Sequence, residues 1–294
     1  MIIVIGEILV DCFPTYDRIG GAPFNFAYHL RQLGWPVRFI SRIGNDANGE
    51  KIRGFLEERG FPDTDIQIDN RHATGKVAVS LDTGGIPRFA ICKDAAYDYI
   101  ELPPITEFSE SAIDMIYFGT LAQRTSRGFA QVRNFLEHTK APTIRFCDIN
   151  LRPPHINAAA IAASLTHADI LKLNADELVR VSALCHGPDR YDEAIAWLRS
   201  NFTIPTIAIT RGHQGSALYT DTGAIVSPPV QVAKIVDTVG AGDAYAAILA
   251  GGRLKHLPDA VTLELATRFA ADICTLAGAI PDDDQRYKDL NDQM

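Results

Sequence analysis

Two hydrophobic rhythms alternate along this chain. Ile2 to Val10 is a β-branched run closed by Asp11, the pattern of a buried strand. Gly20-Gly21-Ala22-Pro23 follows, and Phe24 to Leu33 then has the spacing of a helix that ends at Gly34, with Pro23 suited to its first turn. Val37 to Ile43 predicts a strand, and Asn45 to Arg59 a second helix closed by Gly60. This β-α-β-α order predicts an α/β fold with a largely parallel sheet.

The rhythm changes between Thr74 and Ile100. Val77 to Asp82 and Arg88 to Ile91 flank a turn at Thr83-Gly84-Gly85, a hairpin with no helix between its strands. It is either a small β-subdomain or an antiparallel edge of the main sheet. Alternation then resumes. Strands are expected at Met115–Phe118, Thr143–Ile149, Ile170–Leu173, Thr206–Thr210 and Ser216–Tyr219. Helices are expected at Gly128–His138, from Asn174 onward, and at Gly240–Ala250 and Val261–Ala277. The polar, acidic tail after Pro281 reads as a surface segment. No repeat or linker divides the chain, so residues 1–294 are expected to form a single domain.

Composition narrows the functions open to such a fold. Of 294 residues, 47% are hydrophobic, enough for a sizeable core. The net charge of −8 argues against a broad nucleic-acid or anionic-membrane surface. A small anion pocket stays open, because it needs only a few local N–H groups and cations. Cys12, Cys92, Cys147, Cys185 and Cys274 are scattered and form no C-x-x-C pair, which points to buried thiols in a reducing, cytoplasmic setting. The N-terminal segment lacks a basic region and is interrupted by Glu7, so it reads as a strand and not a signal peptide. No apolar stretch is long enough for a membrane-spanning helix.

Five segments carry chemistry. Asp237-Thr238-Val239-Gly240-Ala241-Gly242-Asp243 precedes a helical run, which puts the N–H groups of Gly240 to Asp243 at a helix N-terminus that favours an anion. A carboxylate there is a poor phosphate-binding device but a sensible proton acceptor for a hydroxyl that attacks phosphorus. It is equally an acidic cap in an ordinary first turn. Asp11, at a strand end, and Asn25, after Gly20-Gly21, offer acceptors and a donor to a polyhydroxylated ligand; each is also an ordinary turn or first-turn residue. Asp148-Ile149-Asn150-Leu151-Arg152-Pro153 could aim Arg152 at a ligand oxygen, or leave it as a surface cation. Asn174-Ala175-Asp176-Glu177 is a capping box that could also stand near Mg²⁺ and nucleotide phosphates. Thr210-Arg211-Gly212-His213-Gln214-Gly215-Ser216 suits either a triphosphate or a tight hairpin turn. Neither a P-loop motif nor a dinucleotide fingerprint occurs.

In this order and spacing the five segments resemble the PfkB (ribokinase-like) family of carbohydrate kinases, from Gly6-Glu7 to Gly278-Ala279. Asp237 to Asp243 resembles the family's C-terminal signature, and Gly44-Asn45-Asp46 through Gly49 the N-terminal one. The resemblance implies a three-layer α/β/α sandwich with a mostly parallel central sheet and a small β-sheet lid, formed by insertions near residues 12–19 and 74–100. It implies ATP and Mg²⁺, with Asp243 as base and Gly240, Ala241 and Gly242 as the anion hole. Thr210, Gly212, Gly215 and Asn174 would serve the nucleotide, and Glu177 the metal. Asp237 opens a loop that in several members also binds a monovalent cation such as K⁺. The segments around Asn25 and Arg152 look like the fructokinase subgroup. That likeness implies sugar contacts from Asp11, Gly21, Asn25 and Arg152, with Tyr97 from the lid.

The expected activity is therefore transfer of the ATP γ-phosphate to D-fructose O6. The alternatives are 2-keto-3-deoxygluconate as acceptor, and a non-catalytic sugar or nucleotide sensor. A homodimer through the lid edges is expected, because unpaired strand edges favour strand addition.

Overall fold

The N-terminal apolar run forms two strands rather than the one expected. In the computed structural model, which describes residues 1–81, 87–108, 113–281 and 284–294, β1 (Ile2–Ile5) ends at Gly6 and β2 (Leu9–Cys12) joins a different sheet. Glycine permits the break: a Cβ at Gly6 would stand 2.3 Å from the ring of Pro23. The first half of the chain continues with β3 (Asp17–Gly20), α1 (Ala22–Gln32), β4 (Val37–Gly44), α2 (Ala47–Glu58), β5 (Ile66–Asp69), β6 (Gly75–Leu81), β7 (Pro87–Ile91), β8 (Met115–Gly119) and α3 (Ser126–Glu137). The second half holds β9 (Ile144–Asp148), α4 (Ala158–His167), β10 (Ile170–Asn174), α5 (Ala175–Leu184), α6 (Tyr191–Phe202), β11 (Thr206–Thr210), β12 (Ser216–Thr220) and β13 (Gly223–Ser227). It closes with α7 (Ala241–Leu254), α8 (Asp259–Ile273) and α9 (Gln285–Asn291).

The main sheet runs β13-β12-β11-β10-β9-β8-β1-β4-β5, parallel from β11 to β5 and antiparallel at β12 and β13. Both faces are covered, which is why its strands read as continuous apolar runs. Side chains alternate between the faces. Ile2 and Val4 pack with Phe24 of α1, Ile52 of α2, Ile248 of α7, Phe269 of α8 and Tyr287 of α9. Ile3 and Ile5 pack with Val132 of α3, Leu165 of α4, Val181 of α5 and Leu198 of α6. The result is the expected three-layer α/β/α arrangement. Its core includes Phe26 stacked on Tyr117 with ring centroids 3.8 Å apart, each fully buried side chain contributing about 1.5–3 kcal/mol.

The hairpin after Thr74 belongs to a second sheet, ordered β3-β2-β6-β7, and not to an edge of the main one. Its turn at Thr83-Gly84-Gly85 lies outside the described residues. The pattern predicts none of β3, β5, β13, α4 and α6; β3 and β5 are only four residues long, too short for a readable alternation. The tail after Pro281 is also more than a surface segment. Its helix α9 buries Tyr287 and Leu290, and the Tyr287 hydroxyl lies 2.8 Å from Nδ1 of the fully buried His29. Burial pushes the His29 pKa down to about 3, so this contact holds a neutral ring.

Candidate active site

Strand order reverses at β1, which lies between β4 and β8, and ligands of parallel sheets bind outside the carboxyl ends at such a point. A cleft of about 760 Å³ opens there, within the usual range for a small-molecule site. Glu7 follows β1, Asn150 and Arg152 follow β9, and Asn174 and Thr210 end β10 and β11; all line the cleft. The smaller sheet contributes Leu9, Asp11, Val77 and Ile91 to its wall. The N-termini of α1 and α7 enter from the other layer with Gly21, Asn25 and Gly240 to Asp243.

Both helices begin on glycine without a side-chain cap, whereas Asp46, Thr125, Asn157 and Asn174 cap α2, α3, α4 and α5. An uncapped helix start facing a cleft keeps N–H groups and dipole available to an anion. Gly240 is required at the start of α7. It is left-handed with φ 79°, and a Cβ would come within 2.2 Å of the Ala279 methyl. Asp243 sits in the first turn, 7% exposed, and its Oδ2 accepts a 2.8 Å hydrogen bond from Asn25 Nδ2. Burial pushes its pKa up, against the pull of Lys172, the Asn25 hydrogen bond and Arg152. Such a carboxylate is a better proton acceptor than an exposed one.

A buried cation stands behind this turn. Lys172 Nζ donates to both oxygens of Asp148 at 3.1 Å, and Tyr117 Oη donates to Oδ2 at 3.1 Å. A Cβ on Gly242 would lie 3.0 Å from the Lys172 ammonium, so the charge lies against the backbone of the expected anion hole. Burial opposes the lysine charge, but Asp148, Glu177 and Asp243 hold its pKa above the ordinary value. Asp148 is raised to about 6 by burial, with Lys172 pulling the other way. The opposite end of the cleft is carboxylate-rich. Burial raises Glu7 to about 7 and Asp11 to about 6; Arg152 is the leading cation opposing both shifts.

The remaining wall suits a nucleotide. Thr210, Gly212, His213 and Gly215 surround a 3₁₀ turn between β11 and β12, which also makes the expected hairpin. The apolar side chains of Val230, Val232, Ile235, Ala270, Ala271 and Cys274 also line the cleft.

Thirteen of the fifteen expected site residues therefore line one cleft: Asp11, Gly21, Asn25, Arg152, Asn174, Glu177, Thr210, Gly212, Gly215, Gly240, Ala241, Gly242 and Asp243. Tyr97 is not among them. It is fully buried, packed on Gly75 and under the Arg124 guanidinium 5.0 Å away, because the segment after β7 turns inward as part of the core. Asp237 also stands off the wall. Its Oδ1 accepts from Val239 N at 3.0 Å, and its Oδ2 from Gly278 N at 3.1 Å and Arg18 at 3.3 Å.

Glu177 is committed in the same way. Its oxygens accept from Leu151 N at 2.7 Å and from Asn174 N at 2.9 Å, the latter completing the capping box. Among the described residues no three His, Cys, Asp or Glu side chains gather as a metal site. Sequence reasoning missed Glu7, Lys172 and Arg18. A charge inside an otherwise apolar strand run was the available signal for the first two.

Comparison with known proteins agrees with this geometry. The model of the pfkB family carbohydrate kinases matches residues 2–286. The fructokinase of Klebsiella pneumoniae is 29% identical over 300 residues, covering 94% of each chain. The crystal structure of a fructokinase with bound ATP from Xylella fastidiosa superposes with a TM-score of 0.83 at 22% identity, over 99% of this chain and 98% of that one. A fructokinase double mutant from Vibrio cholerae, bound to fructose, ADP and potassium ion, gives 0.76 at 23% identity over 95% and 93%. The structural likenesses establish the shared fold. With the family match spanning almost the whole chain, and the cleft built from the segments that first suggested it, this protein belongs to the pfkB family of carbohydrate kinases.

Proposed function

We propose that this enzyme transfers the γ-phosphate of ATP to the primary hydroxyl of a neutral sugar, with D-fructose O6 as the preferred acceptor and Asp243 as the base. The observation that carries this reading is the placement of Asp243. It is buried in the uncapped first turn of α7, held by Asn25, and lines one cleft together with Glu7, Asp11, Thr210 and Gly212. Asp243 orients the attacking hydroxyl and accepts its proton as the O–P bond forms, since a carboxylate is too weak to deprotonate an alcohol beforehand. The helix N-terminus and Lys172 stabilise the charge of the migrating phosphoryl group. The smaller sheet acts as a lid that excludes water from the bound sugar.

Mg²⁺ fits as a companion of the nucleotide. A hydrated Mg²⁺ held through phosphates and one or two carboxylates needs no dedicated cage. Glu177, which lines the cleft beside Asn174, would hold it through water, and the ion would neutralise phosphate charge. Two features favour fructose over 2-keto-3-deoxygluconate: the fructokinase relatives and the carboxylates around Arg152. Arg152 is the one cation whose charge acts on all three of Glu7, Asp11 and Asp243, so these carboxylates already engage the cation an anionic acceptor would need. A sugar panel with ADP formation as readout tests the assignment. Fructose is expected to give the highest kcat/KM; a higher value for 2-keto-3-deoxygluconate overturns the substrate. Nucleotide binding without turnover on any sugar would establish a sensor instead.

A further inference from the structure

We propose that the Arg18 guanidinium is the fixed cation of the anion-hole loop and positions that loop for catalysis, so that phosphoryl transfer by this chain does not depend on K⁺. The inference rests on the phosphoryl-transfer reading above, and departs from the expectation that the loop opened by Asp237 holds a monovalent ion. A K⁺ site there would need the Asp237 carboxylate free to face the ion. In this chain Arg18, reaching from β3 of the smaller sheet, already faces it: Nη1 lies 3.3 Å from Asp237 Oδ2. An ion beside that oxygen would meet a like charge at close range.

Arg18 is built in from three sides. Its guanidinium lies 4.9 Å from the Tyr16 ring centroid and 5.8 Å from that of Phe13, and these two rings stack on each other at 4.5 Å. On its third side a Cβ at Gly278 would come within 2.9 Å of Nη1, so the loop backbone closes on the guanidinium. The consequence reaches the reacting end through short contacts. Asp237 holds Val239 N and Gly278 N, and Ala279, the next residue, packs against Gly240 at the start of α7. Arg18 thus ties the smaller sheet to the two loop segments that shape the anion hole. It touches none of the expected reacting atoms and acts through Asp237.

The test uses the full-length enzyme, freed of alkali cations, with ADP quantified directly, since an ion-dependent coupling enzyme would obscure the result. Wild type is expected to turn over within about twofold of the same rate in K⁺ or tetramethylammonium at about 0.1 M. Arg18→Ala is expected to lose about tenfold in kcat without K⁺ while keeping its KM for sugar, and to regain most of the loss when K⁺ is added. Arg18→Lys should fall between the two. A purely structural role would lower the melting temperature without rescue by K⁺.

Crystals soaked in Rb⁺ give a readout independent of activity: an anomalous peak beside Asp237 is expected in Arg18→Ala and not in wild type. Activation of wild type by K⁺ of about fivefold or more overturns the inference, as does a wild-type Rb⁺ peak beside Asp237 or a fully active Arg18→Ala without K⁺. If no sugar is turned over in any salt, the functional reading fails, and the Rb⁺ maps alone decide the role of Arg18.

Discussion

At the scale of single residues, the site works by holding charges in places where each needs the others. Asp243 and Asp148 would be costly buried alone, and Lys172 sits within reach of both, with Asp148 as its hydrogen-bonded partner. Among the described residues Glu7 forms no ion pair, and its stability consequence follows directly. Its folded pKa of about 7 lies above the unfolded value of 4.5, chiefly through burial. A raised pKa means that the protonated form favours folding. The contribution is complete below the unfolded value and is lost as pH rises through about 7. Glu7→Gln is therefore expected to be more stable than wild type at about pH 8, by up to about 3 kcal/mol, with the gap closing as pH falls toward about 4. Denaturant melts of both proteins across that range check the sign; a gap that widens toward acid contradicts it.

Among the elements, α7 is the one on which the proposed chemistry most depends, and its start is legible in the sequence because glycines cluster there before an apolar helical run. The parallel strands were legible for a related reason: burial on both faces writes them as unbroken apolar runs. The same property hid the break at Gly6, since β1 and β2 are apolar on either side of it. Lys172 was hard to place because one lysine in a strand looks the same whether it reaches solvent or pairs with Asp148. Helix α9 went unread because only Tyr287 and Leu290 of its residues are buried. Gly240→Ala is expected to cost at least about 1–3 kcal/mol, through left-handed backbone strain and collision with Ala279, and to lower kcat more than stability alone accounts for. A variant with wild-type melting and kcat would show that the α7 start tolerates a side chain.

For the whole molecule, the fold was readable as an α/β order, but the meeting of distant segments was not. Asn25 and Asp243 are 218 positions apart and Arg18 and Asp237 are 219 apart, and no local pattern announces either pair. The smaller sheet, with β3 and β7 at its edges, gives the molecule a second surface that we propose pairs two copies into a homodimer. Sedimentation is expected to give twice the chain mass of 32.2 kDa; a monomer across a broad concentration range contradicts it. The account as a whole depends on Asp243, and sugar-dependent ADP formation by wild type and Asp243→Asn is its most direct test. The variant is expected to bind ATP as wild type does and to lose about 10²- to 10⁴-fold in kcat. Turnover on fructose undiminished by the substitution would contradict the central claim.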